Sequence, residues 1–372
     1  MKSVGIFLSA VTLLTATLWF QNGSVFIERI LTYPYSHEIT ETDWYQPQSI
    51  LSVASKSSVL SRKKREDLES VFADMEHYAS ERESLALLIS LNGNIVKEWY
   101  QSPFSSVSKF NSMSMLKTLV SLLAAEAEQR SMLSLSDRVS KYLKIQGETE
   151  KLDALRVIDL MRMTSGVRVS DSQKNPFSDL VRLHFSDNMD SLLFKIPVVH
   201  SPGENFEYNN VNTQWLAAIL EHVSGVRLGY LLREWLFQPL GVTEASLWLD
   251  HQEGREHAYC CLFMTAESWM KVAELLKNDG NWNGERVLSS KSIEQVKAPS
   301  PVTSEYAHGV WLRPKGSKYL LDLFSLEGAR GQYLYIIPEL KASILRVGDH
   351  IRDWDRNYLP NRLISALKNS DS

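Results

Sequence analysis

The chain has 372 residues, enough for one large domain or two smaller ones, and its formal net charge is −4. Hydrophobic residues make up 44% of the chain and charged residues 23%, which is ordinary for a globular protein. No long basic stripe occurs, so nucleic acid is not expected as a partner; the one basic cluster, residues 62–65, predicts the solvated start of a helix.

The first twenty residues differ in character from the rest of the chain. An uncharged, mostly apolar run over residues 3–20 follows Lys2 and is close to the shortest length that crosses a bilayer. It ends in Trp19 and Phe20, which suit a membrane interface, and lacks the small residues of a cleavage site. We expect residues 1–20 to be a signal anchor in the inner membrane, with a cleaved signal peptide and a buried N-terminal helix as alternatives. Either of the first two places the body of the protein in the periplasm.

The next elements along the chain are a linker, a helix and a hairpin. Residues 21–60 contain two prolines and many Ser and Thr without periodicity, and are predicted to be a tether ahead of a domain over residues 61–372. Apolar residues on one face predict a helix over residues 67–80. Asn92-Gly93 between two apolar runs then predicts an antiparallel hairpin.

The middle of the chain, residues 115–280, is predicted to be a mostly helical lobe. Its helices are expected over residues 115–128, 157–163 and 211–223, and from an N-cap at Thr265 to about Lys277. Strands follow over residues 318–324, 333–337 and 342–347, with a last helix over residues 357–367. Because strands lie at both ends of the domain, we predict an α+β fold: one antiparallel sheet flanked by helices, with a cleft against the helical lobe.

Cys260 and Cys261 are adjacent and are the only cysteines of the chain. Adjacent cysteines rarely reach good disulfide geometry with each other. A structural zinc site needs four ligands with spaced cysteines. We therefore expect two small buried residues, with neither a disulfide nor a metal site.

The strongest candidate for chemistry is a Ser-x-x-Lys motif, in which the two side chains share one helix face. The sequence holds no G-x-S-x-G, H-E-x-x-H or phosphate-loop motif. Ser-x-x-Lys occurs five times, but only Ser114 opens a long apolar helix. Lys117 should then be held in the core or in a cleft, where desolvation makes its amine a base. The alternative is a lysine that reaches the surface.

Two further motifs carry polar or flexible residues that could contact a substrate. Tyr208 has Asn210 two residues later, so a phenol and an amide could both face a substrate, although a turn or a helix cap explains the pair as well. Residues 328–332 read Gly-Ala-Arg-Gly-Gln before a predicted strand. Glycine there would let a strand edge approach a ligand closely, or would simply form a bulge or tight turn.

Taken in order, Ser114, Tyr208 and Gly328 resemble the serine β-lactamase and penicillin-binding protein superfamily, on its class C and esterase side. The resemblance covers residues 85–348 and includes residues 133–143, 159–166, 237–241 and 281–284. Within the superfamily the chain looks most similar to 6-aminohexanoate-dimer hydrolases and related esterases, on the basis of residues 175–179 and 328–332. The resemblance implies the β-lactamase/transpeptidase-like fold.

The resemblance also implies roles, without metal or cofactor. The nucleophile would be Ser114, with Lys117 as its base and Tyr208 as the proton shuttle to the leaving group. Asn210 would hold the substrate and Lys117, while the N–H groups of Ser114 and Ala329 would form the oxyanion hole. Asp179 would contact the substrate.

One departure from the family bears on the substrate. Relatives that act on β-lactams carry Lys-Thr-Gly where this chain has Leu326-Glu327-Gly328. The lysine that holds a carboxylate is absent, and Glu327 is expected to repel one. We therefore expect a serine hydrolase that cleaves an amide or ester in a small or peptide-like substrate, with weak or no β-lactamase activity. The alternative is a non-catalytic protein of the same fold that binds peptidoglycan peptides.

Overall fold

The computed structural model describes residues 23–51 and 59–370. The predicted anchor over residues 1–20 lies outside the described residues, as do residues 52–58 of the predicted tether. Among the helices in the two described ranges, none combines the length and the apolar character that a bilayer crossing requires.

Helices and strands alternate in blocks along the chain. The helices are α1 (residues 23–32), α2 (Glu69–Ser80), α3 (Leu116–Gln129), α4 (Thr149–Ala154), α5 (Val157–Arg162), α6 (Asp179–Phe185), α7 (Asp190–Leu193), α8 (Asn210–Ser224), α9 (Leu228–Leu232), α10 (Ala266–Lys277), α11 (Ser290–Lys297) and α12 (Tyr358–Ser370). The strands are β1 (Gln48–Ile50), β2 (Ser84–Leu91), β3 (Asn94–Tyr100), β4 (Lys109–Asn111), β5 (Ala245–Trp248), β6 (Leu262–Thr265), β7 (Asn281–Trp282), β8 (Glu285–Arg286), β9 (Trp311–Arg313), β10 (Leu323–Gly328), β11 (Gln332–Ile337) and β12 (Ala342–Gly348).

A six-stranded antiparallel sheet joins the two ends of the domain, which confirms the predicted α+β architecture. Its strand order is β3-β2-β12-β11-β10-β9, so the early hairpin pairs with the last strand, as at Leu88 opposite Leu345. A smaller sheet has the order β1-β5-β6-β4, and β7 and β8 form a two-stranded ribbon. The smaller sheet matters for the site because β4 leads directly to Ser114.

The two faces of the large sheet bury different sets of side chains. One face packs against α2 and α12 around Phe72, Tyr335 and Leu363. The other face packs against the helical lobe, whose core includes nearly every side chain of α3. The alternation of side chains along a strand therefore decides which residues of β10 face the lobe and the cleft.

Several helix limits follow from the cap signals in the sequence. The Thr265 side chain accepts from the backbone N–H of Ser268 and caps α10, as predicted. Helix α8 ends at Ser224, and Gly225 caps it with a left-handed φ of 72° that glycine adopts without strain. The predicted strand over residues 318–324 is wrong, because the strand is Leu323–Gly328 and pairs with β11 around the turn at Gly331. Its apolar residues Tyr319 and Leu321 are buried beside α12 as a loop.

Residues 23–51 differ from the tether that the sequence predicts. Phe26, Ile39 and Tyr45 are fully buried, and β1 pairs with β5. The carbonyl of Ile39 also accepts from the backbone N–H of Asn111, at 2.9 Å. Aromatic side chains in an otherwise polar stretch supply this packing. Their spacing matches neither a helix period nor a strand period, so the sequence pattern does not predict it.

Cys260 and Cys261 form a disulfide with each other, so the expectation of two unlinked cysteines is wrong. The backbone at Cys261 takes a left-handed φ of 67°. Successive side chains of an extended chain point to opposite sides, and this turn breaks that alternation so that the two sulfurs can meet. Sequence spacing alone does not reveal a local left-handed residue.

The burial of α1 can be tested with one matched pair of variants. We predict that Phe26→Ala lowers the free energy of unfolding by about 3–5 kcal/mol, because its ring packs on Phe185 in the core. Leu31→Ala on the same helix, whose side chain is 78% exposed, should change it by less than about 0.5 kcal/mol. Urea denaturation followed by circular dichroism measures both. Equal, small effects would mean that this segment is a tether after all.

Candidate active site

A strained turn presents Ser114 at the start of α3. Met113, just before it, has a φ of 47°, which is unusual for a bulky residue. Two hydrogen bonds fix the turn. The Asn111 Oδ1 accepts from the backbone N–H of Met113 at 3.0 Å, and the Leu262 carbonyl accepts from the backbone N–H of Ser112 at 2.8 Å. The hydroxyl of Ser114 is therefore held at the end of β4, partly exposed, with α3 behind it.

Lys117 lies one helical turn after Ser114 and is 2% exposed, which excludes the alternative of a lysine that reaches the surface. Its Nζ is 3.0 Å from the Ser114 Oγ. Because α3 is buried along most of its length, the amine is largely shielded from bulk water. Burial lowers the pKa of Lys117 from 10.5 to about 7, since a desolvated ammonium is costly.

Two oxygen atoms besides Ser114 contact the Lys117 amine. Its Nζ donates to the Asn210 Oδ1 at 2.7 Å and to the backbone carbonyl of Tyr259 at 3.2 Å. A neutral amine has two N–H groups and one lone pair. When both N–H groups are used by these acceptors, the lone pair is left for the hydroxyl of Ser114, which then donates to Nζ. This arrangement suits an amine that takes the serine proton.

Asn210 is free for this contact because its neighbour performs the capping. The Asn209 side chain accepts from the backbone N–H of Asn212 and caps α8. The alternative that Asn210 is only a helix cap is therefore excluded. The motif's second asparagine instead points its amide oxygen at Lys117, as the resemblance implied.

Tyr208 lies against both Ser114 and Lys117. Its ring centroid is 4.9 Å from the Lys117 Nζ. Burial raises the pKa of Tyr208, and its hydrogen bond with Ser114 opposes that rise only in part. Lys117 does not offset this rise in the pKa of Tyr208, because an uncharged, desolvated amine does not stabilise a phenolate. Tyr208 is a protonated phenol at neutral pH, able to donate a proton.

The end of β10 lies directly beside the nucleophile turn. A Cβ on Gly328 would be 2.6 Å from the carbonyl oxygen of Ser112, so only glycine allows this approach. Ala329 follows at once and is exposed, next to the turn that carries Ser114. Arg330 is ion-paired with Glu38, so the N-terminal segment holds this loop.

The two residues that replace Lys-Thr of the family point to opposite faces of the sheet. Leu326 is fully buried in the same core as α3. Glu327 pairs across the sheet with Tyr333, which belongs to the other core, and its carboxylate is 2.5 Å from the Arg313 guanidinium. The expectation that Glu327 repels a substrate carboxylate stays a prediction: the side chain is ion-paired on the sheet face away from α3, yet its charge reaches the cluster, since it adds to the rise in the pKa of Tyr208.

Asp179 is the one predicted site residue that the structure does not bring to this cluster. Its carboxylate accepts from the backbone N–H and the hydroxyl of Ser170, at 2.9 and 2.8 Å. These bonds close a loop at the start of α6. Asp179 therefore makes its hydrogen bonds within this loop and none with Ser114, Lys117 or Tyr208.

Other residues complete the site without a sequence signal. The Tyr259 acceptor is a backbone carbonyl, which any residue could supply. Trp311 and Tyr306 form an aromatic wall beside Tyr208, with ring centroids 5.4 and 5.7 Å from its ring. They lie about a hundred residues from Tyr208 in the chain, so only the fold unites them.

One group in the described ranges could offer three metal donors within 4.8 Å of one another: His184, Cys260 and Cys261. The disulfide ties up both sulfurs, so neither is available as a thiolate ligand. In the geometry described here the group is therefore not a metal site.

Comparison with known sequences finds one family model across most of the chain. The model named Beta-lactamase matches residues 71–347. An uncharacterised protein of Mycobacterium tuberculosis is 24% identical over 188 residues, which are 42% of this chain and 47% of that protein. The chain thus spans about half the length, or less, of the curated relatives it matches.

Comparison with solved structures finds the same fold in several hydrolases. A Bacillus anthracis protein described as a 6-aminohexanoate-dimer hydrolase superimposes with a TM-score of 0.73 and 20% identity, over 91% of this chain and 93% of that one. A family VIII carboxylesterase gives a TM-score of 0.64 and 16% identity, over 82% and 96%. Identities this low show a common fold and nothing finer.

The lowered pKa of Lys117 predicts how Ser114 reacts with a fluorophosphonate probe as pH changes. Below about pH 7 the amine is an ammonium without a lone pair, so the labelling rate should rise with pH through about 7 and then level off. Lys117→Met should lower the rate about 10²–10⁴-fold and remove this rise. Stopped labelling reactions analysed by intact mass give both quantities.

Lys271→Met is the matched control, because Lys271 is also buried in a Ser-x-x-Lys motif but its Nζ donates to the carbonyl of Gly241. Its profile should match that of the wild type. A Lys117→Met protein with an unchanged rate and profile would exclude Lys117 as the base.

Proposed function

The chain belongs to the Beta-lactamase family, and from that premise we propose that it cleaves an amide or an ester through an acyl-enzyme on Ser114. The fold family consists of serine hydrolases, among them esterases, amidases and penicillin-binding proteins. One observation carries the proposal: the Lys117 amine touches the Ser114 Oγ while two other oxygens occupy its N–H groups.

The geometry supports a two-step reaction. The Ser114 Oγ attacks the carbonyl carbon while its proton moves to the Lys117 Nζ. The backbone N–H groups of Ser114 and Ala329 stabilise the resulting oxyanion. Tyr208 passes its proton to the leaving amine or alcohol and regains one from Lys117, which restores the neutral amine. Water then attacks the acyl-Ser114 ester, and the same side chains return the proton to the Ser114 Oγ.

The surroundings of Ser114 favour an uncharged substrate. Leu326 is an apolar, buried side chain where family members that act on β-lactams place a cation. The Tyr208 ring lies beside Ser114 and packs on Tyr306 and Trp311, and the partly exposed rings of Tyr208 and Trp311 suit an apolar group. A substrate carboxylate therefore gains no ion pair here, and β-lactam turnover is proposed to be weak or absent.

The place of action is proposed to be the periplasm. Its basis is the apolar run of residues 3–20, which would hold the enzyme on the periplasmic face of the inner membrane or direct it there. A small-molecule or peptide-like substrate of the cell envelope fits this location.

The proposal is tested with a panel of substrates that share one apolar acyl group. We expect the purified protein to hydrolyse the neutral aryl ester and the corresponding amide, with kcat/KM at least about 10²-fold above that for a penicillin, because each lost charge contact costs on the order of 2–3 kcal/mol. Ser114→Ala should abolish hydrolysis of every substrate. Efficient penicillin turnover would contradict the substrate assignment.

Tyr208→Phe separates the role of the phenol from that of its ring. The variant keeps the contacts with Trp311 and loses only the O–H. Because an amine leaving group needs a proton and a nitrophenolate does not, amide hydrolysis should fall much more than aryl-ester hydrolysis.

No labelling of Ser114 by any acylating substrate would instead favour a protein that only binds peptides.

A further inference from the structure

The only two cysteines of the chain lie next to the catalytic cluster. The residue before the pair, Tyr259, supplies the carbonyl that accepts from the Lys117 Nζ. The residue after it, Leu262, supplies the carbonyl that accepts from the backbone N–H of Ser112. The Cys260–Cys261 disulfide therefore lies between the backbone contact that orients the base and the one that anchors the nucleophile turn.

A disulfide between neighbours adds little to the stability of the folded chain. In the chain-entropy account, the gain grows with the length of the loop that is closed, and here the loop is a single peptide bond. Its effect is local instead: the small ring fixes the peptide that joins the two cysteines. Cys261 has a φ of 67°, a conformation that is unfavourable for a non-glycine residue, so an unlinked Cys261 would tend to relax.

The Tyr259 carbonyl belongs to the peptide that precedes this ring, between Tyr259 and Cys260, so a relaxation at Cys260 and Cys261 acts on it through the backbone of Cys260. Lys117 has two acceptors other than Ser114, and the second of them, Asn210, is a side chain held by α8. If the Tyr259 carbonyl turns away, one N–H of the neutral amine loses its partner. The amine is then free to rotate, and its lone pair is no longer directed at the Ser114 Oγ. Misplacement by about 1 Å can slow a reaction about 10²-fold.

The disulfide lies among buried side chains. Cys260 is 6% exposed and Cys261 is fully buried. The Tyr259 ring faces the Lys117 Nζ at 5.8 Å, and its hydroxyl bonds to the Nδ1 of His257 at 3.0 Å. Burial lowers the pKa of His184 to about 4 and that of His257 well below its ordinary value, so both imidazoles are neutral at pH 7. Two charged side chains act on this group: Arg29 acts on both imidazoles, and Arg29 and Asp250 act on the Tyr259 phenol.

We propose that the Cys260–Cys261 disulfide is a positioning element for Lys117, and that its reduction slows the acylation of Ser114. The inference rests on the proposed function. The reductant is a dithiol: it transfers two electrons and two protons to the S–S bond, which breaks to give two cysteine thiols, and the dithiol closes to its own cyclic disulfide. Oxidation by a small disulfide reverses the step. The hydrolase would then lose activity where thiol reductants prevail.

The test compares the full-length wild type before reduction, after treatment with a dithiol, and after reoxidation. Alkylation and intact mass count the free thiols, and the fluorophosphonate labelling rate of Ser114 is followed across pH. Cys260→Ser/Cys261→Ser is the control that cannot respond to the reductant, since no other cysteine exists.

We expect no thiol before reduction and two afterwards. The plateau of the labelling rate should fall about 10-fold or more. Its midpoint should move to lower pH, because a lost carbonyl acceptor no longer stabilises the ammonium of Lys117. Reoxidation should restore both, and the double variant should show the low plateau with or without dithiol.

Two results would overturn the inference: free thiols without any reductant, or two thiols after reduction with an unchanged plateau and midpoint. In the second case a lower melting temperature alone would mean a purely structural disulfide. A wild type that labels at no pH while still disulfide-bonded would instead count against the proposed function.

Discussion

The site depends on which neighbouring atoms contact the two N–H groups and the lone pair of the buried Lys117 amine. Lys117 offers two N–H groups and one lone pair when it is neutral, and three oxygens surround it within 3.2 Å. Burial favours the neutral form, and the acceptors from Asn210 and Tyr259 decide which way the lone pair points. Without burial the amine would be an ammonium, and without the two acceptors its lone pair would not be directed at the Ser114 Oγ. Both conditions are needed for Ser114 to be activated.

The fold supplies these conditions from four separate segments. Helix α3 carries Ser114 and Lys117 into the core, and α8 presents Asn210 because Asn209 does the capping. The turn before β6 presents the carbonyl of Tyr259 next to the Cys260–Cys261 disulfide. The N-terminal segment reaches across as well: Ile39 bonds to the strand that precedes Ser114, and Glu38 pairs with Arg330 in the loop after β10.

The sequence predicts the parts of this arrangement that depend on local pattern. The Asn-Gly hairpin, the Thr265 cap and the apolar helix after Ser114 each arise from residues close together in the chain, and the fold confirms them. Strands β4, β5 and β6 have three or four residues, too few for alternation to appear, and β5 and β6 lie within the region over residues 115–280 that is predicted to be mostly helical.

The parts that depend on tertiary contact could not be predicted. The direction of Glu327 follows from the register of β10 against β11, and a motif carries no register. The packing of Phe26 and Tyr45 follows from a surface that only the folded lobe provides. The Tyr259 carbonyl has no residue signature at all. The substrate contact of Asp179 is implied only by the resemblance, whereas its carboxylate accepts from the backbone N–H of Ser170.

The most direct test of the account is the pKa of Lys117 itself. Titration of the protein labelled with ¹⁵N at lysine Nζ, followed by NMR and assigned with Lys117→Met, measures it without substrate or probe. The account predicts a midpoint at about pH 7, set apart from the other lysines. A midpoint near the ordinary value of 10.5 would show an ammonium at neutral pH, and Lys117 could not then be the base that activates Ser114.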